Sequence, residues 1–317
     1  MSAPSIFDPP SGGPRHVLCV GAAVLDTLFR VRALPQGQGK VLPYDMLQIA
    51  EGMASSAAYA VVRLGGRASL WGAVGHDETG NRIIRDLKGD GINVDGMLRV
   101  DGARSAVSTI LVDDEGERLI VPFYDPKLHH TVKEFTAADI AAFDAVLIDV
   151  RWPALARQVL KAARAMGKPA ILDGDVAPDG IIEQLAPEAT HIIFSEPAAE
   201  RLTGTDDVSE MVQQLKQRFD HAFICVTAGA AGSHRFDDDT GKVQHCPTIS
   251  IKAVDTLAAG DIFHGAFALA IAEGMAAEDA IRFSSIAAAI KCELFGGRAG
   301  APRRVDVIKR SEPLQRF

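Results

Sequence analysis

Short apolar runs that end at glycine or a polar residue alternate with longer segments of helical period along most of this chain. The first run, residues 16–21, indicates a buried strand, and the alternation becomes regular after residue 130. Because parallel strands are joined by crossover helices, this pattern predicts an α/β domain with a mostly parallel sheet. The later strands are predicted at residues 145–150, 169–172, 191–194 and 222–226.

A shorter and more broken pattern lies between the first strand and the regular region. Residues 31–51 are interrupted by two prolines and two glycines, and they predict two short strands with Lys40 between them. Residues 105–112 and 118–123 flank the acidic turn 113–116, and such a turn between β-rich runs indicates a hairpin.

Composition excludes several classes of function. The 317 residues carry a net charge of −8 without a basic block, so a nucleic-acid partner is not expected. The four cysteines form no CxxC pair and indicate reduced thiols in a cytoplasmic protein. No apolar run approaches about 18 residues, so no membrane partner is expected. Residues 1–15, rich in Pro, Ser and Gly, predict a flexible tail.

The candidate chemistry lies where a strand gives way to a helix at residues 255–261. The apolar spacing that follows predicts a helix whose first turn carries the small residues Ala258, Ala259 and Gly260. Their free N–H groups and the positive end of the helix dipole suit a developing negative charge. Asp261 could then take a proton from a substrate hydroxyl. The alternative is that Asp255 or Asp261 only caps the helix.

The sequence Asp-Thr-Leu-Ala-Ala-Gly-Asp at 255–261, followed by Ile-Phe-His-Gly-Ala-Phe, resembles the C-terminal signature of the ribokinase-like (PfkB) sugar kinases. The resemblance implies a three-layer α/β domain over residues 16–317, with a small β-sheet lid formed by about 31–51 and 105–123. It also implies transfer of the ATP γ-phosphoryl group to a sugar hydroxyl, with Mg²⁺. Asp261 is then the general base, and the amides of Ala258, Ala259 and Gly260 form the anion hole.

The same resemblance implies further site residues. Asp26 and Gly52 are expected to contact the sugar. The glycine turn after the strand at 222–226 is expected to contact ATP phosphates, and the region 296–302 to cover adenine. These nucleotide-binding candidates are Thr227, Gly229, Gly232 and Gly297.

The chain also departs from the family pattern. Glu51 and Ser56 stand where the family has a glycine and an asparagine, so this turn keeps only Gly52 of the family's lid-hinge and substrate-contact pattern. Ser195 and Ala198 do not match the Asn-x-x-Glu motif that organises magnesium, so the metal-organising residues stay unassigned and Glu196 is only a candidate.

Four short patterns resemble sulfofructose kinases within this family, at residues 149–152, 172–175, 194–197 and 296–300. The likeness predicts an anionic ketose such as 6-deoxy-6-sulfofructose, bound by Arg151 and Lys40, and a homodimer formed through the lid. Pro122 stands where those enzymes make a further polar sulfonate contact, so a related acid or phosphate stays open. The alternative is that Arg151 pairs with Asp149 or Asp173 and that Lys40 is merely exposed.

Two other functions remain open at this point. One is a kinase for a neutral ketose, a sugar phosphate or a nucleoside. The other is a binding or regulatory protein with little catalysis, because Glu51, Ser195 and Ala198 break family motifs. The intact Asp261 and its small-residue turn count against the second.

Overall fold

The computed structural model describes residues 5–311 and, within them, fourteen strands and eleven α-helices. The strands are β1 His16–Val20, β2 Val24–Arg30, β3 Asp45–Glu51, β4 Arg67–Trp71, β5 Ala73–Gly75, β6 Leu98–Val100, β7 Ala106–Val112, β8 Arg118–Phe123, β9 Ala145–Ile148, β10 Ala170–Gly174, β11 His191–Ser195, β12 Phe223–Thr227, β13 Ser233–Asp237 and β14 Lys242–Cys246. The helices are α1 Met53–Arg63, α2 Glu78–Gly89, α3 Pro126–His130, α4 Ala137–Ala141, α5 Pro153–Ala165, α6 Ile181–Leu185, α7 Glu196–Thr203, α8 Val208–Arg218, α9 Ala259–Ala272, α10 Ala277–Cys292 and α11 Arg304–Ser311.

The main sheet has eight strands in the order β14-β13-β12-β11-β10-β9-β1-β4. The six strands from β12 to β4 run parallel, and β13 and β14 add an antiparallel edge. The predicted mostly parallel sheet is therefore confirmed. Its polar strand ends all lie at one edge, because parallel strands end on the same side.

Two hydrophobic cores cover the two faces of this sheet. Successive side chains of a strand point to opposite faces, so Val17 and Cys19 enter one core while Leu18 and Val20 enter the other. Helices α1, α9 and α10 pack on the first face, and α5 and α8 pack on the second. The helix α9 is apolar on all sides and correspondingly buried along most of its length. The three layers follow from this division.

The lid is a separate four-stranded sheet in the order β3-β2-β7-β8. The predicted hairpin is present as the antiparallel pair β7 and β8. The predicted bounds of the first segment were wrong, because the lid begins at Val24 and residues 31–44 form no strand. Prolines and glycines interrupt that segment and prevent regular pairing, so β2 comes from the residues before it. Lys40 lies in this irregular segment and is exposed.

The lid lies against the loop that precedes α9. Leu28 and Ile110 form a small lid core, and Leu257 packs against it. At the hairpin tip, a Cβ added to Gly116 would stand 3.3 Å from the Val254 carbonyl oxygen. These contacts place the lid against the turn that leads into Asp261.

The predicted flexible tail is wrong from Phe7 onward. Phe7 is fully buried, its ring centroid lies 5.3 Å from that of Phe283, and its carbonyl oxygen accepts a hydrogen bond from Arg304 Nη1 at 3.1 Å. One aromatic side chain thus anchors a segment whose average composition indicated disorder. Residues 1–4 lie outside the described part of the chain.

Between residues 5 and 311, no helix combines the length and apolar character needed to cross a bilayer.

Candidate active site

The first turn of α9 lies over the carboxyl ends of β10 and β11. His264, buried one turn into the helix, makes this connection: its Nδ1 lies 2.7 Å from the carbonyl oxygen of Gly260. Its Nε2 lies 3.3 Å from the Ile193 carbonyl oxygen and 3.4 Å from Asp173 Oδ1. Asp261 and the turn that precedes it are therefore held at the edge of the sheet where the polar strand ends converge.

The turn before α9 exposes backbone N–H groups. Ala258 is the N-cap and has φ +61°, the one non-glycine residue with positive φ in residues 5–311. Within the same residues, the N–H groups of Ala258, Gly260 and Asp261 have no recorded acceptor, whereas Ala259 N–H reaches Thr256 O at 3.3 Å. Three free donors at the positive end of a 14-residue helix form a site suited to an anion.

Asp261 is half-buried in the first turn of α9 and does not cap it, because the helix has no side-chain cap. Burial raises the pKa of Asp261 well above its ordinary value, and the negative charges of Asp173, Glu51 and Asp175 raise it further. A carboxylate with a raised pKa is a stronger base once it is ionised. The geometry thus gives Asp261 the properties of a proton acceptor beside an anion site.

Asp255 has a structural position in the same turn. It is fully buried, its Oδ1 accepts from Leu257 N–H at 2.8 Å, and its Oδ2 accepts from the N–H groups of Gly296 and Gly297 at 2.9 Å each. The predicted adenine-covering turn and the anion site are therefore joined through one carboxylate.

Two of the predicted sugar contacts lie on a lid strand or directly after one. Asp26 is on β2 and is buried, and its Oδ1 accepts from Ser108 Oγ at 2.7 Å. Burial raises the pKa of Asp26 to about 6, and the Ser108 hydrogen bond opposes this shift. Gly52 has φ +112°, and a Cβ there would stand 2.6 Å from the Ala22 carbonyl oxygen, so only glycine fits.

Arg151 follows β9 and is half-buried at the carboxyl edge of the sheet. Its backbone N–H donates to Asp149 Oδ1 at 2.8 Å, but no ion pair of its guanidinium is recorded in residues 5–311. Its Nε is buried and has no partner in those residues. Within residues 5–311 the guanidinium makes no direct ion pair with Asp149 or Asp173, but its positive charge opposes the raised pKa of both carboxyl groups. Lys40 is exposed.

Tyr124 is a candidate site residue that sequence reasoning missed. It follows β8 directly, and burial raises its pKa to about 12, with Arg151, Asp149 and Asp26 as charged neighbours. The signal available in the sequence was its place at the end of a lid strand, just before the Asp125-Pro126 start of α3. Tyr124 therefore lies close enough to Asp26 and Arg151 for their charges to act on it.

The predicted glycine turn follows β12 as expected. Thr227 ends the strand, and its Oγ1 donates to the Phe194 carbonyl oxygen at 3.3 Å. Gly229 has φ +52° and an open Cβ position, while a Cβ on Gly232, at φ +90°, would stand 2.4 Å from the Cys246 carbonyl oxygen. The turn requires glycine at 232, and its contact with a nucleotide stays a prediction.

Two of the departures from the family pattern contact each other. Ser56 Oγ donates to Glu51 Oε2 at 2.5 Å, and Arg298 N–H donates to Glu51 Oε1 at 2.7 Å. Burial raises the pKa of Glu51 to about 7. Gly297 has φ +56°, which favours glycine, and a Cβ there would stand 2.2 Å from Glu51 Oε1. Glu51 and Ser56 thus form one paired replacement that joins β3 to the 297–300 turn.

Ser195, another departure, caps α7. Its Oγ accepts from Ala198 N–H at 3.4 Å and donates to Asp175 Oδ1 at 2.7 Å. In residues 5–311 no group of three or more His, Cys, Asp or Glu side chains is arranged to hold a metal. Mg²⁺ commonly binds through one or two carboxylates together with substrate phosphates. The acidic edge near Asp173 and Asp175 fits an ion that arrives with a phosphate substrate.

Comparison with known proteins gives a consistent result. The family described as pfkB family carbohydrate kinase matches residues 14–304. A ribokinase of Bacillus subtilis is 27% identical over 295 residues, covering 92% of this chain and 98% of the relative. An ATP-dependent ribose-1-phosphate kinase of Halopiger xanaduensis is 28% identical over 288 residues, covering 90% and 93%.

Solved structures agree with the fold. A crystal structure from Agrobacterium tumefaciens, provisionally described as a ribokinase, superposes with a TM-score of 0.94 at 63% identity and covers 96% of this chain and 100% of its own. The Arabidopsis thaliana ribokinase complexed with ribose and ATP superposes with a TM-score of 0.78 at 24% identity, covering 96% and 99%. At 24% identity, the likeness to the Arabidopsis thaliana structure supports only the fold.

Proposed function

This chain belongs to the pfkB family of carbohydrate kinases and is an ATP-dependent sugar kinase, and we propose that its substrate is an anionic ketose such as 6-deoxy-6-sulfofructose. The observation that carries the proposal is the Arg151 guanidinium, whose buried Nε has no acceptor in residues 5–311. Arg15, Arg30 and Arg235 also have a buried Nε without a partner there. Arg151 differs from them in following β9 at the carboxyl edge of the sheet, where an acceptor from the substrate fits. The planar fork of a guanidinium suits the paired oxygens of a sulfonate or phosphate.

The side chains around the crevice have distinct tasks in this reaction. Asp26 binds sugar hydroxyls, and Asp261 takes the proton of the hydroxyl that attacks. The free N–H groups of Ala258, Gly260 and Asp261 stabilise the charge on the transferred group, as in other preorganised anion holes. Mg²⁺, when bound with ATP, supplies positive charge to the phosphates.

The nucleotide occupies the other half of the crevice in this proposal. Thr227, Gly229 and Gly232 form a turn suited to phosphate oxygens, and the turn that contains Gly297 covers adenine. Both turns contain backbone at positive φ, which allows the main chain to approach a ligand closely.

A neutral sugar is the second candidate, and three observations favour it. Lys40 is exposed, and Pro122 lacks both a side-chain donor and an N–H. The named relatives include ribokinases. Ribose or fructose would then use Asp26 without an anionic contact. A catalytically weak binding protein is less well supported, since Asp261 and the free N–H groups are in place.

The first prediction concerns the general base. Asp261→Asn keeps the shape of the side chain and removes its ability to accept a proton, so kcat should fall at least about a hundredfold while ATP affinity is kept. Steady-state kinetics and calorimetric titration with ATP measure both. Asp206→Asn, at an exposed carboxylate, is the matched control. A variant that retains more than about a tenth of wild-type kcat contradicts the assignment.

The second prediction concerns pH. Because Asp261 must be ionised to accept a proton and its pKa is raised, kcat/KM should rise with pH through a limb that lies above the ordinary carboxylate pKa of about 4. Asp175→Asn removes a like charge that raises this pKa, so the limb should move to lower pH. Asp206→Asn should leave the limb where it is. An unmoved limb in Asp175→Asn would exclude Asp261 as the titrating group.

The third prediction tests the substrate. Wild type should show its highest kcat/KM on 6-deoxy-6-sulfofructose or fructose 6-phosphate, compared with fructose and ribose. Charge-assisted hydrogen bonds are worth roughly 1.5–3 kcal/mol, so Arg151→Met should lose about ten- to hundredfold on the anionic sugars and less than about threefold on the neutral ones. Lys40→Met, measured in the same assay, gives the separate contribution of the Lys40 ammonium to kcat/KM on the anionic sugars. A wild type that prefers ribose or fructose would establish the neutral-sugar alternative.

The fourth prediction concerns assembly through the lid, which we also propose. β8 is exposed along almost its whole length, and Ile120 and Val121 are 41% and 62% exposed. Exposed apolar patches of this kind mark interaction surfaces, and a second copy of the lid is the expected partner. Light scattering should give twice the chain mass, and Val121→Glu should give the monomer. Val305→Glu, an exposed site on α11, should not; a monomeric wild type contradicts the proposal.

A cytoplasmic location is part of the same proposal. The four cysteines are all unpaired, and three of them are buried, as in a protein from a reducing compartment.

A further inference from the structure

Lys291, near the end of α10, is a buried cation that has no assigned role in the reaction described above. Its side chain is fully buried, and its Nζ donates to the backbone carbonyl oxygen of Asp255 at 2.6 Å. The same Nζ lies 3.4 Å from Asp255 Oδ2. Burying an ammonium group is costly unless it is paired and hydrogen-bonded, so its presence there needs a reason.

Asp255 is the residue through which Lys291 can act on the site. Its carboxylate holds the N–H groups of Leu257, Gly296 and Gly297, as described above. The backbone is fixed at the same place, because the Cys292 carbonyl oxygen accepts from Val254 N–H at 2.8 Å and from Asp255 N–H at 3.2 Å. The end of α10 therefore holds the beginning of the anion-hole turn from two directions.

The turn that follows needs such support. Ala258 has a left-handed backbone conformation that non-glycine residues rarely adopt, and the free N–H groups lie at this residue and directly after it. Strained conformations persist only where the surroundings hold them. Without the ammonium, the Asp255 carboxylate would be a buried and uncompensated negative charge, three residues before the anion hole.

We propose that Lys291 is a positioning residue for phosphoryl transfer. Its ammonium neutralises Asp255 and fixes the turn, so that the N–H groups of Ala258, Gly260 and Asp261 are oriented before charge develops. A preorganised anion hole stabilises the transition state more than the ground state. The inference rests on the proposed kinase reaction and adds a residue to it. It concerns kcat and leaves sugar binding to Asp26 and Arg151.

The experiment uses the full chain and the sugar of the panel that wild type phosphorylates fastest. Lys291→Met removes the charge and keeps much of the side-chain volume, and it should lower kcat at least about thirtyfold with sugar KM changed less than about threefold. Lys309→Met, at an exposed lysine of α11, is the matched control and should be unchanged. Circular dichroism and calorimetric titration with ADP establish that each variant is folded.

A second variant tests the charge itself. Lys291→Ala opens a space beside the Asp255 carbonyl oxygen, and ethylammonium should enter it and raise kcat at least about fivefold in a saturable way. Tetramethylammonium at the same ionic strength cannot donate a hydrogen bond and should not. ADP binding with and without aluminium fluoride, in the presence of the sugar, measures the anion hole directly. Lys291→Met should lose most of the gain in affinity that aluminium fluoride gives to wild type.

Each result decides between the two proposals. A wild type that phosphorylates no sugar overturns the proposed function. An active wild type with Lys291→Met kcat within about threefold of it, or with a raised KM and unchanged kcat, overturns only the role of Lys291. Failure of both Lys291 variants to fold, without recovery in ethylammonium, assigns the residue to stability and also overturns that role.

Discussion

The sugar half of this molecule depends on one buried carboxylate, Asp149. Its Oδ2 accepts from the N–H groups of Ala22 and Ala54 at 2.7 and 3.1 Å, and its Oδ1 accepts from Arg151 N–H at 2.8 Å. A Cβ at Gly21 would stand 2.1 Å from this carboxylate, so the chain leaves β1 through a residue without a side chain. The first lid strand, the start of α1 and the backbone of Arg151 are thereby fixed to one point. Burial raises the pKa of Asp149, and these N–H groups oppose the shift.

Backbone dipoles, more than charged side chains, prepare this acidic protein for anionic ligands. The chain has a net charge of −8, and Asp173, Asp175 and Asp261 lie near one another at the edge of the sheet. The free N–H groups at the start of α9 carry a partial positive charge, and the backbone fixes the direction in which these groups point. In the proposed reaction, Asp261 therefore serves proton transfer, while the helix end serves the phosphoryl group.

The spacing of apolar and polar residues predicted those strands, helices and turns that depend only on residues close together in the sequence. Strands such as β9 and β12 and the hairpin of β7 and β8 were recognisable, because alternation and turn residues are local properties. The position of Asp261 on the first turn of α9 followed from the same spacing together with the family resemblance. The buried Phe7 and the earlier start of the lid at Val24 were missed, because each depends on a distant surface against which the segment packs. The pairing of Glu51 with Ser56 could not be foreseen either: each looked like an isolated departure until their contact was visible.

The outer strand of the lid has a consequence for how the protein behaves before it assembles. β8 is an edge strand that carries Leu119, Ile120 and Val121 in succession, and an exposed apolar edge is a template for uncontrolled strand addition. Pro122 follows this run and has no N–H to offer an incoming strand. The proline at the position of the predicted sulfonate contact thus also protects this edge, because it offers one donor fewer for strand addition. Replacing it to improve recognition of a substrate would remove that protection during synthesis and folding.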